Sequence, residues 1–233
     1  MQAVIVTGGR GTRLRPVTDS VPKGMVEIGG RPFLEHLIVY LRRTGVTGIL
    51  LCTGYRGEMI ESYFGDGDRL GLRIDYSLED RPLGTGGALK RAWPKLEDAF
   101  FLLNGDTLLP ADYRQLRVAF EKTKALMMVS VFPGEAPGLP PNLRVEGGRI
   151  TACAADSPAA SLTHADAGVR MARKAIADYF PPEDVFSLEE DLYPRLIEAG
   201  ELGAWPVERK FYDIGTPERV RIFEQYLKVI RDV

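Results

Sequence analysis

The spacing of apolar positions along this chain switches repeatedly between two periods. Residues 3–7, apolar from Ala3 to Val6, read as a buried strand, whereas Phe33, Leu34, Leu37, Ile38 and Leu41 recur at helical spacing and predict an amphipathic helix over 33–43. The exchange continues with a strand over 48–53, a helix over 57–64, a strand over 73–78, a helix over 86–93, a strand over 99–103, a helix over 112–123 and a strand over 125–132. Such alternation argues for an α/β fold, a mostly parallel sheet with helices on both faces. Ligands of these sheets bind at the carboxyl ends of the strands.

The pattern loosens after residue 132. Residues 133–165 are rich in Pro, Gly and Ala, with a hairpin signal at Val145-Glu146-Gly147-Gly148-Arg149-Ile150, and predict a small β-rich excursion over the site with 166–172 as the returning strand. Helical signals then resume: Ser187 with Glu190 forms a capping box, Gly200 is a helix stop, and Thr216 caps a last helix that has Pro217 in its first turn. At 233 residues without an internal repeat, one domain is expected.

The candidate chemistry begins where the first strand ends. Thr7-Gly8-Gly9-Arg10-Gly11-Thr12-Arg13-Leu14 is followed by Pro22-Lys23. Small residues after a buried strand let backbone N–H groups approach a phosphate chain, and Arg13 and Lys23 add a planar fork and a point charge. The spacing fits neither the dinucleotide fingerprint, since Leu14 stands where the third glycine belongs, nor the Walker loop, which needs Gly-Lys-Ser/Thr. A nucleoside triphosphate is the ligand this loop suits. Two carboxylates, Asp106 in Asn104-Gly105-Asp106 and Asp213 in Asp213-Ile214-Gly215, each end an apolar run beside a glycine and can point into a cleft.

These segments resemble the sugar-phosphate nucleotidyltransferases along nearly the whole chain. The matching stretches are Gly8-Gly9-x-Gly11-Thr12-Arg13-Leu14, Pro22-Lys23, Tyr76-Ser77-Leu78-Glu79, Pro82-Leu83-Gly84-Thr85-Gly86-Gly87-Ala88, Leu103-Asn104-Gly105-Asp106 and Phe211-Tyr212-Asp213-Ile214-Gly215-Thr216-Pro217-Glu218. Within the family the heptose 1-phosphate guanylyltransferases are most similar. The resemblance implies a Rossmann-like, GT-A-like nucleotidyltransferase domain with a nucleotide-binding half over about 1–132 and a sugar-phosphate-binding part over about 133–233. It implies that Arg13, Lys23 and Asp106 are catalytic and that Asp106 and Asp213 hold Mg²⁺. Thr7, Gly8, Gly9, Gly11, Thr12, Glu79, Pro82, Gly84, Thr85 and Asn104 would complete the nucleotide site, and Asn104, Asp166, Gly168 and Asp213 the sugar-phosphate site.

The chemistry of the reaction fits these groups. A sugar 1-phosphate is already an anion and needs no general base, so positioning and charge stabilisation dominate. Mg²⁺ suits one or two carboxylates with phosphate oxygens and water. The resemblance sets Glu79 against the base. A carboxylate accepts but cannot donate, which favours the two-donor edge of guanine without excluding uracil or cytosine. The pattern departs on the sugar side: relatives carry a Glu-Lys-Pro triplet near 153–158, where this chain reads Cys153-Ala154-Ala155-Asp156-Ser157-Pro158, and Arg144 or Arg170 could stand in for the lysine.

Three readings stay open at this point. The leading one joins a triphosphate, GTP first, to a heptose- or mannose-type sugar 1-phosphate, with a uridylyltransferase on N-acetylmuramate 1-phosphate or another hexose 1-phosphate as a variant. Asp66-Gly67-Asp68 mimics the metal motif of glycosyltransferases, although a solvated turn fits it better, and the missing lysine makes a non-catalytic regulatory module conceivable. A net charge of −2 with dispersed basic residues argues against nucleic acid as a partner. No apolar run reaches membrane-spanning length, Met1 runs straight into the first strand, and Cys52 and Cys153 lack ligand spacing, so a reduced cytoplasmic enzyme is expected, with a homodimer left open. His36 and Trp93 read as packing residues, and His164 has no partner at triad spacing.

Overall fold

In a computed structural model that describes residues 1–135 and 139–231, the apolar runs become one nine-stranded mixed sheet. The first half supplies β1 (Gln2–Val6), the short pair β2 (Glu27–Ile28) and β3 (Arg31–Pro32), α1 (Phe33–Arg43), β4 (Gly48–Thr53), α2 (Gly57–Phe64) and β5 (Arg73–Leu78). Then come α3 (Gly84–Ala92), β6 (Ala99–Asn104), the two-residue β7 (Thr107–Leu108), α4 (Tyr113–Glu121) and β8 (Met127–Pro133). The second half adds β9 (Leu143–Glu146), β10 (Arg149–Cys153), β11 (His164–Arg173), α5 (Tyr193–Glu198), β12 (Leu202–Pro206), the two-residue β13 (Tyr212–Asp213) and α6 (Pro217–Arg231). Residues 136–138 of the expected β-rich excursion lie outside the described residues.

The sheet order is β5-β4-β1-β6-β11-β8-β12-β10-β9. Its first four strands are parallel, and β11 runs antiparallel between β6 and β8. The hairpin of β9 and β10 is continuous with the same sheet, because β10 pairs with β12 and the end of β9 with β11. Alternate residues of β1 serve opposite faces. Ala3 and Ile5 join the core that includes Phe33, Leu37 and Leu116, and Val4 joins the one that includes Leu89 and Leu196. Burial on both faces is why these strands carry no polar alternation.

Helix ends follow the sequence with two differences, at α4 and before α5. Asp112 accepts from the Arg114 N–H at 3.1 Å, so it is the cap of α4 rather than its first residue. Gly200 has φ 69° and closes a Schellman turn: its N–H donates to Ile197 at 2.9 Å, and that of Glu201 to Leu196 at 2.7 Å. Ser187 accepts from the Glu190 N–H, but the reciprocal carboxylate is Asp191, which takes the Ser187 N–H at 2.7 Å. A π turn over Leu188–Leu192 before α5 widens this helix entry by one residue, which moves the capping partner on by one.

Candidate active site

Four parallel strands end on one side of the sheet, and three of them, β1, β5 and β6, deliver a predicted site segment there. β1 leads into Thr7 and Gly8, β4 into Gly54, β5 into Glu79, and β6 ends at Asn104 before Gly105-Asp106. The neighbours of β1 are β4 on one side and β6 on the other, which makes the β1–β6 boundary the topological switch point of this half. Asp66-Gly67-Asp68 precedes β5 and so lies at the opposite, amino end of the sheet. There Asp66 accepts from the Asp68 N–H at 3.1 Å and Gly67 has φ 91°. It is a turn, and the glycosyltransferase reading loses its only motif.

The glycine loop is held by close approach. Gly11, at φ 60°, has no room for a side chain, because a Cβ there would lie 3.0 Å from both Lys23 Cβ and Thr18 Cγ2. The Thr18 hydroxyl donates to the Gly11 carbonyl at 2.9 Å and fixes the loop from below. A Cβ on Gly24 would meet Thr7 Oγ1 at 3.0 Å, so the Lys23 segment rests directly on the end of β1. Gly9, Thr12 and Arg13 stay exposed above it.

Lys23 and Asp106 form an ion pair through Nζ and Oδ2, with the lysine 13% and the aspartate 32% exposed. Thr107 donates to the other carboxylate oxygen at 3.0 Å. Burial works against the charge on Asp106, but Lys23, the Thr107 hydroxyl and Arg13 outweigh it and hold the carboxyl below its usual range. Asp213 arrives from the far end of the sequence through β13, where it stands opposite Thr107 in an antiparallel pair, and the Ile214 N–H donates to the Asp106 carbonyl at 3.0 Å. The backbones of Asp106 and Asp213 are thus adjacent. Asp213 Oδ1 accepts from the Gly215 N–H and from Arg219 Nη1, both at 2.8 Å. Arg13 Nη2 reaches the same place, 3.5 Å from where a Cβ on Gly215 would sit.

Glu79 lies under the glycine loop. Its Oε1 is 2.3 Å from a Cβ built on Gly8 and 2.4 Å from one built on Gly54, and its Oε2 accepts from the Leu83 N–H at 3.2 Å. Burial pushes its carboxyl pKa up, against the Leu83 hydrogen bond. Pro82 is exposed beside it. The glycines at 84–87 pack closely on the protein itself: the Phe186 carbonyl accepts from the Gly86 and Gly87 N–H groups at 3.0 and 3.2 Å, and a Cβ on Gly87 would lie 2.2 Å from the Asp184 carbonyl oxygen. The Thr85 hydroxyl is likewise engaged by Glu189 and by the Leu188 N–H. Gly87→Ala is therefore expected to destabilise the protein by about 1–3 kcal/mol through overpacking, although helix propensity alone would stabilise it by about 1 kcal/mol. A urea midpoint equal to or above that of the native sequence would count against this packing.

On the sugar side, Asp166 and Gly168 sit at a bulge of β11. Asp166 pairs with Val131 and Arg170 with Val129, so four residues of β11 span two of β8. Gly168 makes the bulge, with φ 76° and a Cβ position 2.8 Å from Thr107 Cγ2. Arg170, 1% exposed, bonds Asp166 Oδ2 and Glu189 Oε1 at 2.7 Å each and Asn104 Oδ1 at 2.8 Å, and its Nε donates to Tyr193. Tyr193 in turn donates to Asp166 at 2.9 Å. Sequence reasoning missed Tyr193 and Glu189 entirely. Arg144 pairs with Glu146 at 3.5 Å, and the lysine-free stretch lines a 500 Å³ cleft through Cys153, Ala154 and Ala155 beside Tyr193 and Glu189.

The remaining candidates are structural. His36 bonds the Ile28 carbonyl at 2.8 Å and packs on Phe223, Trp93 packs edge-on against Phe100 and Phe180, and His164 bonds Thr163 at 2.8 Å. Cys52 and Cys153 are buried free thiols, the first pushed up to about 12 by burial. Among the described residues no helix is long and apolar enough to cross a membrane.

Residues 2–137 match the nucleotidyl transferase family, and the chain belongs to it. The D-glycero-alpha-D-manno-heptose 1-phosphate guanylyltransferase of Aneurinibacillus thermoaerophilus is 34% identical over 229 residues, covering 98% of this chain and 99% of that protein. The mannose-1-phosphate guanylyltransferase of Mycobacterium tuberculosis is 35% identical over 94% of this chain, which spans 62% of that protein. Among solved structures, HddC from Yersinia pseudotuberculosis complexed with GMP-PN is 29% identical with a TM-score of 0.83, covering 97% of this chain and 99% of that one.

Proposed function

We propose that this chain joins GTP to a heptose- or mannose-type sugar 1-phosphate, giving a nucleoside diphosphate sugar and pyrophosphate. The observation that carries the reading is the meeting of the glycine loop, Lys23, Asp106, Asp213 and Arg13 at one end of the sheet. The names of the two relatives, both guanylyltransferases acting on such sugar phosphates, support the choice of substrates.

A phosphate oxygen of the sugar 1-phosphate attacks the α-phosphorus of the triphosphate. The bond from that phosphorus to the bridging oxygen breaks, and pyrophosphate leaves with the electron pair. In this reading the loop N–H groups of Gly8, Gly9 and Gly11 and the Thr12 segment bind the phosphates, Lys23 neutralises the α-phosphate region, and Arg13 grips the departing pyrophosphate. The donor set at Asp106 and Asp213 fits a hard cation, since both are carboxylates and phosphate oxygens would complete the shell. Mg²⁺ held there would supply charge to the phosphate oxygens. Glu79, an acceptor when ionised, would take the N1–H and N2 amine of guanine after leaving its place under Gly8.

Pyrophosphate release, measured with each of the four common triphosphates against mannose, glucose, glucosamine and heptose 1-phosphates with Mg²⁺, is the test. GTP with a manno-configured sugar should give the highest kcat/KM. A preference for UTP or dTTP, or release from none of the pairs, would remove the proposal. Arg13→Lys keeps the charge but loses the two-pronged contact, so turnover should fall about 10–100-fold with an unchanged melting temperature; undiminished turnover would end this role for Arg13.

A further inference from the structure

Arg170 lies in an apolar strand between Val169 and Met171, yet it is the largest fully buried side chain among the described residues. A cation in that position needs partners on every side. The bulge in β11 provides one of them. In a regular strand Asp166 and Arg170 would stand roughly 13 Å apart along the chain axis, but the extra residues around Gly168 bring their charged groups to 2.7 Å. Glu189 supplies a second carboxylate at 2.7 Å, so the guanidinium carries no surplus charge to offer an incoming phosphate. That rules Arg170 out as a replacement for the missing lysine; beside its bond to Tyr193, which belongs to the same buried cluster, it leaves the one to Asn104 to be explained.

Arginine only donates, so the atom of Asn104 that faces Nη1 at 2.8 Å is the carbonyl oxygen. The amide nitrogen at the other end of the same group then points away from Arg170. It has no partner among the described residues and is not shut off from solvent. Asn104 closes β6 immediately before Gly105-Asp106, which puts its carboxamide at the carboxyl end of the sheet. Without Arg170 the carboxamide could rotate and present its oxygen, which would repel a phosphate or compete for donors.

We infer that Arg170 is a positioning residue for the transfer reaction, fixing the Asn104 carboxamide with its NH2 group toward the cleft as a donor to an oxygen of the sugar 1-phosphate. The inference rests on the nucleotidyltransferase reading above. Arg170 also ties the strand that ends at Asn104 to Glu189, which holds Thr85 at 3.0 Å, so one buried group registers both substrate-binding halves.

A double-mutant cycle between Arg170→Lys and Asn104→Ala tests it by steady-state pyrophosphate release. Lysine keeps the charge against Asp166 and Glu189 but cannot also span to Asn104. Arg170→Lys should raise the KM for the sugar 1-phosphate about tenfold and leave that for the triphosphate within about twofold. In the Asn104→Ala background the same substitution should change neither, because the group it orients is gone. Equal effects in both backgrounds, or an unchanged sugar-phosphate KM in Asn104→Ala alone, would overturn the inference. If Arg170→Lys does not fold by circular dichroism, Asn104→Asp decides: it keeps an oxygen for Arg170 but presents an acceptor to the cleft, and an unchanged sugar-phosphate KM overturns the proposal. Absence of pyrophosphate release from the native sequence would instead defeat the parent reading, and this inference with it.

Discussion

Asp106→Asn is expected to lower turnover by about 1,000-fold while the chain stays folded. The substitution preserves the shape of the side chain and leaves the Asp106 carbonyl free to accept from Ile214, so β13 stays docked. What disappears is the negative charge that Lys23 and a divalent cation would both meet. The same variant reports on pH. Lys23, Thr107 and Arg13 hold the Asp106 carboxyl below its ordinary range, so its contribution to stability is complete above the unfolded-state value of about 3.9 and is lost as the pH falls through the lower folded value. The native sequence should therefore out-stabilise Asp106→Asn at neutral pH, and the difference should shrink in acid. Urea midpoints across that range, with turnover at pH 7, measure both; a loss of turnover under tenfold would take Asp106 out of the reaction.

Lys23→Met should cost about 100–1,000-fold in kcat/KM for the triphosphate. Methionine keeps the aliphatic stem against Gly11, where a Cβ would sit 3.0 Å from Lys23 Cβ, so the effect isolates the ammonium. Removing it also leaves Asp106 without the partner at its Oδ2. For that reason the two substitutions are expected to be non-additive, with a coupling of about 0.5–3 kcal/mol in a cycle on kcat/KM. Strict additivity would mean that the pair does not act as a unit on the triphosphate.

These groups were legible because each is local. Lys23 follows the glycine turn at short range, and Asp106 and Asp213 each stand where an apolar run stops beside a glycine. Strand-to-loop transitions mark the carboxyl edge of a parallel sheet, so the glycine loop and Asp106 could be placed there without knowing the strand order; Asp213, on the separate antiparallel pair of β7 and β13, was joined to them by the resemblance alone. What depended on distant packing was hidden. The resemblance gives Gly84 and Thr85 to the nucleotide site, and nothing near them in sequence announces that residues 184–189 close over this segment. The capping partner of Ser187 moved by one because a π turn intervened, which no local spacing specifies. Arg170 did leave a sign: a guanidinium inside an apolar strand must be matched by buried acids, and Asp166 stands four residues earlier.

The placement of β11 also governs how the molecule is made. It fills the gap between β6 and β8, two strands that both leave the ribosome before it does. Until residues 164–173 emerge, each of those strands has a naked hydrogen-bonding margin, one apolar enough to recruit another nascent chain or to pair wrongly with its sister. Synthesis of this protein thus passes through a window of vulnerability that closes for β6 when β11 slots in and for the other margin of β8 only when β12 follows, and both steps are slowed by their long-range partners.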